Sequence, residues 1–471
     1  MRTNRRQFLK NITKASGIVA AAPIVAISNN ASAAGRQLDL TGTFDLADLR
    51  GSVNANTTGL LPNAISDQGV LLQSILEKAA VNNKPVFLPP GDYFVSNITL
   101  PKNTRLMGVP GASRLIYTGS GHFIIGENGQ HIELTGLVFD GANRGLSSYA
   151  EAAIRLTNVD HAVIDNCKVI GSLEIGIQMA RSKGRISNTH VSGAAGACGI
   201  YAIENKGLSI INNEVTNCVN GGILVHRWEI GSDGTIVSGN RISHIGAGNG
   251  GTGQWGNGIN IFRAGEVIVT NNHISDCAFS AIRGNAANNV QMTGNTCLRS
   301  GETAIYSEFE FNGSVINSNI IDGAARGISI ANYLQGGHLA VVGNNLIRNI
   351  VGHGPYVEND QPFGEGISVE ADTTVTGNVI EQAASYGIML GWGPYLRDVI
   401  VSNNVIRRVN RGIYVSVVKG SGTAHISNNV ISATKKGGIF GYEWKNRMTN
   451  DLVHNYSNDY SHLSIQNNRL S

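Results

Sequence analysis

The chain has 471 residues, 59 of them Gly against 10 Pro, with only 15% charged side chains and a formal net charge of +3. This Gly-rich, charge-poor composition, with Asn, Ile and Val abundant, favours many short strands joined by tight turns over helices. The near balance of 36 basic and 33 acidic residues argues against nucleic acid, for which a basic face would be expected, and no run of 18 or more uncharged apolar residues beyond the N-terminal region offers a membrane span.

The first 33 residues read as an export signal. Asn4 to Lys10 (NRRQFLK), the Ala- and Ile-rich segment from Ala15 to Ile27, and Ala31-Ser32-Ala33 follow the order of a charged, an apolar and a cleavable region. Arg5 and Arg6 followed by Gln-Phe-Leu-Lys resemble the twin-arginine signal, with Asn4 where Ser or Thr is common. That resemblance implies the twin-arginine translocase as a partner and a periplasmic or secreted location in a bacterium. Loss of residues 1–33 takes away Arg2, Arg5, Arg6, Lys10 and Lys14, leaving 31 of the 36 basic residues against 33 acidic ones. The positive balance belongs to the signal.

Residues 34–65 are expected to be a linker. In 66–84, SDQGVLLQSILEKAA provides Ser66 or Asp67 as N-cap and Val70, Leu71, Leu72, Ile75, Leu76 and Ala79 near helical spacing, which predicts a helix lying as a lid on the strand-like KPVFLPPGDYFV. From 85 to 442 a small residue followed by Ile recurs: Ala153-Ile154, Gly176-Ile177, Gly199-Ile200, Gly222-Ile223, Gly258-Ile259, Ala281-Ile282, Ala304-Ile305, Gly327-Ile328, and on to Gly438-Ile439. The commonest interval is 23 residues. Between these anchors runs a turn rich in Asn, as in IINNEV, VIVTNNHI and HISNNVI, so that each repeat holds three strands. Strands of three to five residues cannot bury a core within one repeat, whereas stacked repeats share one. The fold predicted is all-β, a single-stranded right-handed parallel β-helix of about 23-residue coils with an N-terminal helical cap, each coil about 4.8 Å above the last. Asn tolerates the left-handed bend of such turns, and identical side chains on successive coils can form a hydrogen-bonded ladder. Residues 443–471, polar and aromatic with a final strand-like LSIQNNRL, are expected to close the other end. Cys167, Cys198, Cys218, Cys277 and Cys297 show no metal-ligand spacing and read as buried small residues.

The cap helix, the FLPPGDY turn and the Gly-Ile and Asn-x-Ile coils resemble the pectate-lyase-like right-handed β-helix superfamily. With its Arg-Arg signal the chain is similar to the twin-arginine-translocated repeat proteins of that group. The resemblance implies a β-helix that acts on or binds polysaccharide, within a superfamily that includes lyases, hydrolases, epimerases and binders.

The spacing from Asn turn to the next small-Ile pair is usually 8 to 10 residues, but Gly136 to Ala153, Asn240 to Gly258 and Asn345 to Gly366 take 17, 18 and 21. Three insertions at one corner flank the face of the small-Ile strands, and long loops in compact folds commonly carry function. Because Ile points inward, the next residue points outward. The first outward column includes Asn260, Arg283, Tyr306 and Ser329; the second includes His226, Phe262, Asn285, Glu308 and Glu370. Arg283 is thereby predicted on the floor of a cleft, where its removal should leave the fold intact. Trp228, Trp255, Phe262 and Tyr306 are aromatic residues that a glycan groove would use.

The function expected is binding or conversion of an acidic, uronic-acid polysaccharide or oligosaccharide by lyase or epimerase chemistry. Arg283 would neutralise a uronate, Tyr306 and His226 would move protons, and Glu308 would orient Arg283. Asn260, Asn285, Trp228, Trp255, Phe262 and Glu370 would hold the substrate. The alternatives are a glycoside hydrolase, with Glu308 and Glu310 as its two carboxylates, and a non-catalytic glycan-binding or cell-envelope protein. The GHG at Gly352 to Gly354 resembles a polygalacturonase signature, yet the paired-Asp motifs of that family are absent. The outward columns contain no Asp, so the carboxylate cluster that binds calcium in pectate lyases is not evident. No cofactor is expected, Glu308, Glu370 and Asp372 being the carboxylates through which calcium would have to bind.

Overall fold

The computed structural model describes residues 51–356, 363–454 and 459–471. The export signal, most of the expected linker and two short segments lie outside the described residues. The chain winds through three parallel sheets of 16, 15 and 15 strands, visited in rotation, so each strand pairs with the equivalent strands one coil before and one coil after. Among the paired strands of the described residues, only the final hairpin, Ile439–Glu443 with Asn446–Arg447, is antiparallel.

The small-Ile strands form one sheet, here the site sheet. Ile177, Ile200, Ile223, Ile259, Ile282 and Ile305 stack in register on consecutive coils and are at most 1% exposed. The residue before each Ile must be small because the coils approach one another there. A Cβ on Gly176 would sit 2.6 Å from the Gly199 carbonyl oxygen, and one on Gly366 would sit 2.6 Å from that of Gly387.

The Asn turn joins the other two sheets, and the structure divides its two expected roles between adjacent residues. The first takes the left-handed conformation: Asn212, Asn271, Asn344, Asn403 and Asn428 have φ between 55° and 58°, with Gly239, Gly294 and Gly377 substituting on other coils. The second forms the ladder. Asn213, Asn240, Asn272, Asn295, Asn319, Asn345, Asn378, Asn404, Asn429 and Asn468 follow one another, each amide nitrogen donating to the next side-chain oxygen at 2.9–3.1 Å. Each also donates to a strand carbonyl and accepts a turn N–H, as Asn295 does with Val269 and Asn272, so nearly every buried amide group is matched. The ladder's own spacings correct the expected period. A coil without insertion takes 23 or 24 residues, whereas others take 25 to 39 because loops are inserted at the corners.

The helix spans Gly69–Val81 and buries Leu72, Ile75, Leu76 and Ala79 on the first coils. Its N-cap is Gln68, while Asp67 accepts the Gly69 N–H at 2.6 Å. Val70, expected on the apolar face, is 90% exposed. Ahead of the helix, Val53–Asn54 pairs with Val86–Phe87. At the far end Leu463–Gln466 and Arg469–Leu470 extend two of the sheets. All five cysteines are free and buried; burial pushes the thiols of Cys167 and Cys297 up to about 12 and that of Cys218 to about 11.

Candidate functional site

The outward columns run in register as the alternation predicts. Arg155, Gln178, Tyr201, Leu224, Asn260, Arg283, Tyr306 and Ser329 occupy successive coils of the first; His226, Phe262, Asn285 and Glu308 occupy those of the second. The insertions do more than flank this strip, however. They fold over part of it, and the strip divides into a covered half and an open half.

The covered half centres on Arg283, which is 8% exposed. Its Nε donates to Glu308 at 2.6 Å, its Nη1 lies 3.5 Å from Glu302, and its guanidinium sits 5.2 Å from the centroid of the Tyr306 ring. Asn285 donates to the same Glu308 oxygen at 2.8 Å. The second loop crosses directly above: a Cβ on Gly253 would collide with the Arg283 guanidinium. The third loop adds Tyr356, which donates to Glu302 at 2.6 Å and stacks on Phe279. Burial opposes the Arg283 charge, but Glu308 and Glu302 outweigh it and hold its pKa above the ordinary value. Burial raises the Glu308 carboxyl and, more strongly, the Tyr306 phenol. Arg283 is therefore the hub of a buried ion cluster rather than an open cleft floor. Glu302, three residues before Ile305, was not in either expected column; it faces the loop corner beside Ser280.

The open half lies toward the N-terminus. Tyr201 bonds the Nδ1 of His226 at 2.7 Å, and the His226 ring meets Trp228 at 4.6 Å and Phe262 at 5.0 Å. Trp228 is 58% exposed. The backbone N–H of Trp228 donates to Glu204 at 2.6 Å, and Glu204 in turn pairs with Arg227 at 2.8 Å. Burial lowers the His226 pKa, so the imidazole is neutral at pH 7. Two buried polar atoms here lack a partner among the described residues, His226 Nε2 and Asn260 Oδ1. Asn260 borders a cavity of about 20 Å³ shared with Leu224, Gln254 and Trp255, room for about one water molecule.

The opposite corner of the site sheet also carries insertions, at 227–235, 331–337, 391–398 and 417–423, and these bring Trp228, Tyr333, Trp392 and Tyr395 to the second rim. Sequence intervals counted only from Asn turn to small-Ile pair overlook them; counted onward from the Ile, they are visible. Glu370 belongs to this rim, accepting the Tyr333 N–H at 2.6 Å. Burial raises its carboxyl from 4.5 to about 7. The folded state then binds this proton more tightly than the unfolded chain does. Its contribution to stability is complete below about pH 4.5 and is lost as pH rises through 7. The melting temperature should fall between about pH 5 and 7.5, and Glu370→Gln should flatten that fall in a pH series of thermal melts.

The carboxylates considered for hydrolysis are not brought together on the strip. Glu308 is buried in the ion cluster, while Glu310 lies exposed past the end of the strand Thr303–Glu308. Asp372 is engaged by Arg397 at 2.5 Å, and no cluster of three or more metal-ligating side chains occurs among the described residues. A larger concavity of about 520 Å³ lies on a different sheet, where Val290, Val315, Leu339 and Val341 give it an apolar floor beside Asn289, Gln291, Asp372 and Thr374.

The coiled architecture has counterparts among known proteins. The family model for the right handed beta helix region matches residues 113–242, 229–396 and 333–470. The chain belongs to this family. Comparison with curated proteins finds no match. Among solved structures the β-helix is similar to the bacteriophage phi29 gene product 12 N-terminal fragment, at 15% identity and a TM-score of 0.52, covering 85% of this chain and 73% of that one. It is also similar to the Streptococcus pneumoniae surface protein and adhesin PfbA, at 15% identity and 0.47, covering 83% and 100%. The catalytic unit of a GH87 alpha-1,3-glucanase from Streptomyces thermodiastaticus matches at 14% and 0.45, covering 89% and 69%. At these identities the likeness is one of fold. No helix among the described residues is long and apolar enough to cross a membrane.

Proposed function

We propose that this β-helix binds a glycan on the open half of its site sheet, and that binding rather than bond cleavage is its primary activity. The observation that carries the reading is the grouping of Tyr201, Trp228 and Phe262 around His226, whose buried Nε2 has no partner among the described residues, with Trp228 standing 58% exposed. A buried polar group without a hydrogen bond costs about 1–3 kcal/mol, and a sugar hydroxyl would supply the bond. Flat aromatic faces match the apolar faces of pyranose rings. The buried cluster favours binding over lyase chemistry, because the cation expected to neutralise a uronate is already engaged by Glu302 and Glu308. A glycan array probed with the purified protein tests the reading. Trp228→Ala should weaken the strongest signals by about tenfold or more while leaving the melting temperature unchanged, and equal binding by the variant would refute it.

A second reading, lyase or epimerase chemistry on a uronic-acid polymer, draws support from the neutral His226 and from Tyr306 beside Arg283. Recording the absorbance of an unsaturated product during incubation with such polymers distinguishes the two. We also infer export by the twin-arginine route from Arg5 and Arg6. Changing both to Lys should leave the precursor in the cytoplasm on cell fractionation, and undiminished export would contradict the inference.

A further inference from the structure

We propose that Trp392 and Trp444 form a second stacking station for the same ligand, which is therefore a long anionic glycan chain rather than a short oligosaccharide; this rests on the glycan-binding reading above. Trp392 follows the strand Tyr386–Leu390, and Trp444 occupies the turn of the closing hairpin, so both stand at the C-terminal end of the site sheet. Their support is rigid. Trp392 stacks on Tyr414 at 6.2 Å, Tyr414 stacks on Tyr442 at 4.5 Å with the planes 11° apart, and both tyrosines are at most 2% exposed. Trp392 meets Trp444 at 5.6 Å and 82°, giving a corner of two indole rings, and Trp444 is 43% exposed.

The backbone at Trp444 adds an independent observation. Its φ is 54°, a left-handed conformation that hairpin turns ordinarily give to Asn or Gly and that is costly for a bulky side chain. Tyr414 holds this turn by donating its hydroxyl to the Trp444 carbonyl at 2.9 Å. The ring packs against Trp392 and across Gly393 while its outer part stays open, and strain of this kind collects at ligand-binding positions. The surroundings hold more basic than acidic groups: Arg411 lies 5.9 Å from the Tyr386 centroid with its Nε unpartnered among the described residues, Arg447 lies 5.4 Å from that of Phe440, Lys445 and Glu443 are exposed beside the turn, and Asp451 lies by the Phe440 ring. That balance suits an anionic chain.

Distance sets the length. Six strand steps separate the strand carrying Trp228 from the one preceding Trp392, and eight separate it from the closing hairpin. At about 4.8 Å per step these are about 29 Å and about 38 Å. One chain touching both stations gains the effective concentration of a tethered second contact.

The test is calorimetric titration of the purified protein with size-graded oligogalacturonides, using wild type, Trp228→Ala, Trp392→Ala and Trp444→Asn, with graded maltooligosaccharides as neutral probes. Wild-type affinity should climb about 100-fold once the oligomer is long enough to reach both stations. Trp392→Ala and Trp444→Asn should remove that climb yet bind short oligogalacturonides as wild type does, and Trp444→Asn should melt no lower than wild type. Length-independent affinity, an unchanged climb in both variants, or a lower melting temperature in Trp444→Asn with binding intact would overturn the proposal. Equal affinity for the neutral series would overturn the anionic class. Wild type binding no glycan would overturn the glycan reading together with this one, whereas binding that depends on Trp228 alone would overturn only this one.

Discussion

Ile282→Asp is expected to abolish folding of the central coils. Ile282 is fully buried between Ile259 and Ile305 in the stacked apolar core. Truncating such a side chain alone costs about 2–5 kcal/mol, and burying an unpaired carboxylate costs several more. Stability in a solenoid is shared between neighbouring repeats, so a break at a middle coil separates the stack into two shorter ones, each with a new open end. Circular dichroism should show loss of the strand signal at room temperature or a cooperative melt shifted far downward. Gln291→Asp, outward and exposed on the next sheet, should melt like wild type. A native melt for Ile282→Asp would mean that the stacked Ile column does not hold the coils together.

Arg283→Ala is expected to be the most destabilising change among the outward residues. The substitution leaves Glu302 and Glu308, with side chains 1% and 3% exposed, buried without their cation. Removing one partner of a buried ion pair costs about 3–5 kcal/mol. The loss has a pH signature. Burial already raises the Glu308 carboxyl, and without Arg283 to oppose it the folded-state pKa rises further above the unfolded one. The stability tied to Glu308 is then kept at low pH and lost as pH rises, so the deficit of Arg283→Ala should be smaller at about pH 5 than at about pH 8. Adding Glu308→Gln should restore part of the stability, a coupling that denaturant melts of the two single variants and the double variant would measure. A variant with wild-type stability at both pH values would mean that the guanidinium is solvated and free to meet a ligand.

The fold was legible because a β-helix writes itself in period. Most coils place a small residue where the neighbour's carbonyl approaches and an Ile on the core side, and from Asn213 onward an Asn stands where the turn amides need a partner; Gly176-Ile177 and Asn213 show each demand. The alternation that named Arg283 and His226 as outward neighbours of the Ile column succeeded for the same reason. Whether an outward residue is open depends on contacts the period does not encode. Gly253 lies over Arg283 from a loop 30 residues earlier in the chain, and Tyr356 reaches Glu302 across 54 residues. Neither follows from the spacing of the strands. Trp444 was hidden differently: its role depends on a turn conformation that favours Asn, so the sequence there reads as an ordinary polar cap.

Hydrogen exchange followed by mass spectrometry, with and without an oligogalacturonide that the protein binds, tests the location of the site most directly. The account predicts slowed exchange in peptides covering Gly221–Ser232 and Asn257–Gly265, the strands that carry His226, Trp228, Asn260 and Phe262, with no change in Asn312–Asn317 or His338–Gly343 beneath the 520 Å³ concavity. Protection confined to Asn312–Asn317 and His338–Gly343, with the two site-sheet strands unchanged, would contradict it.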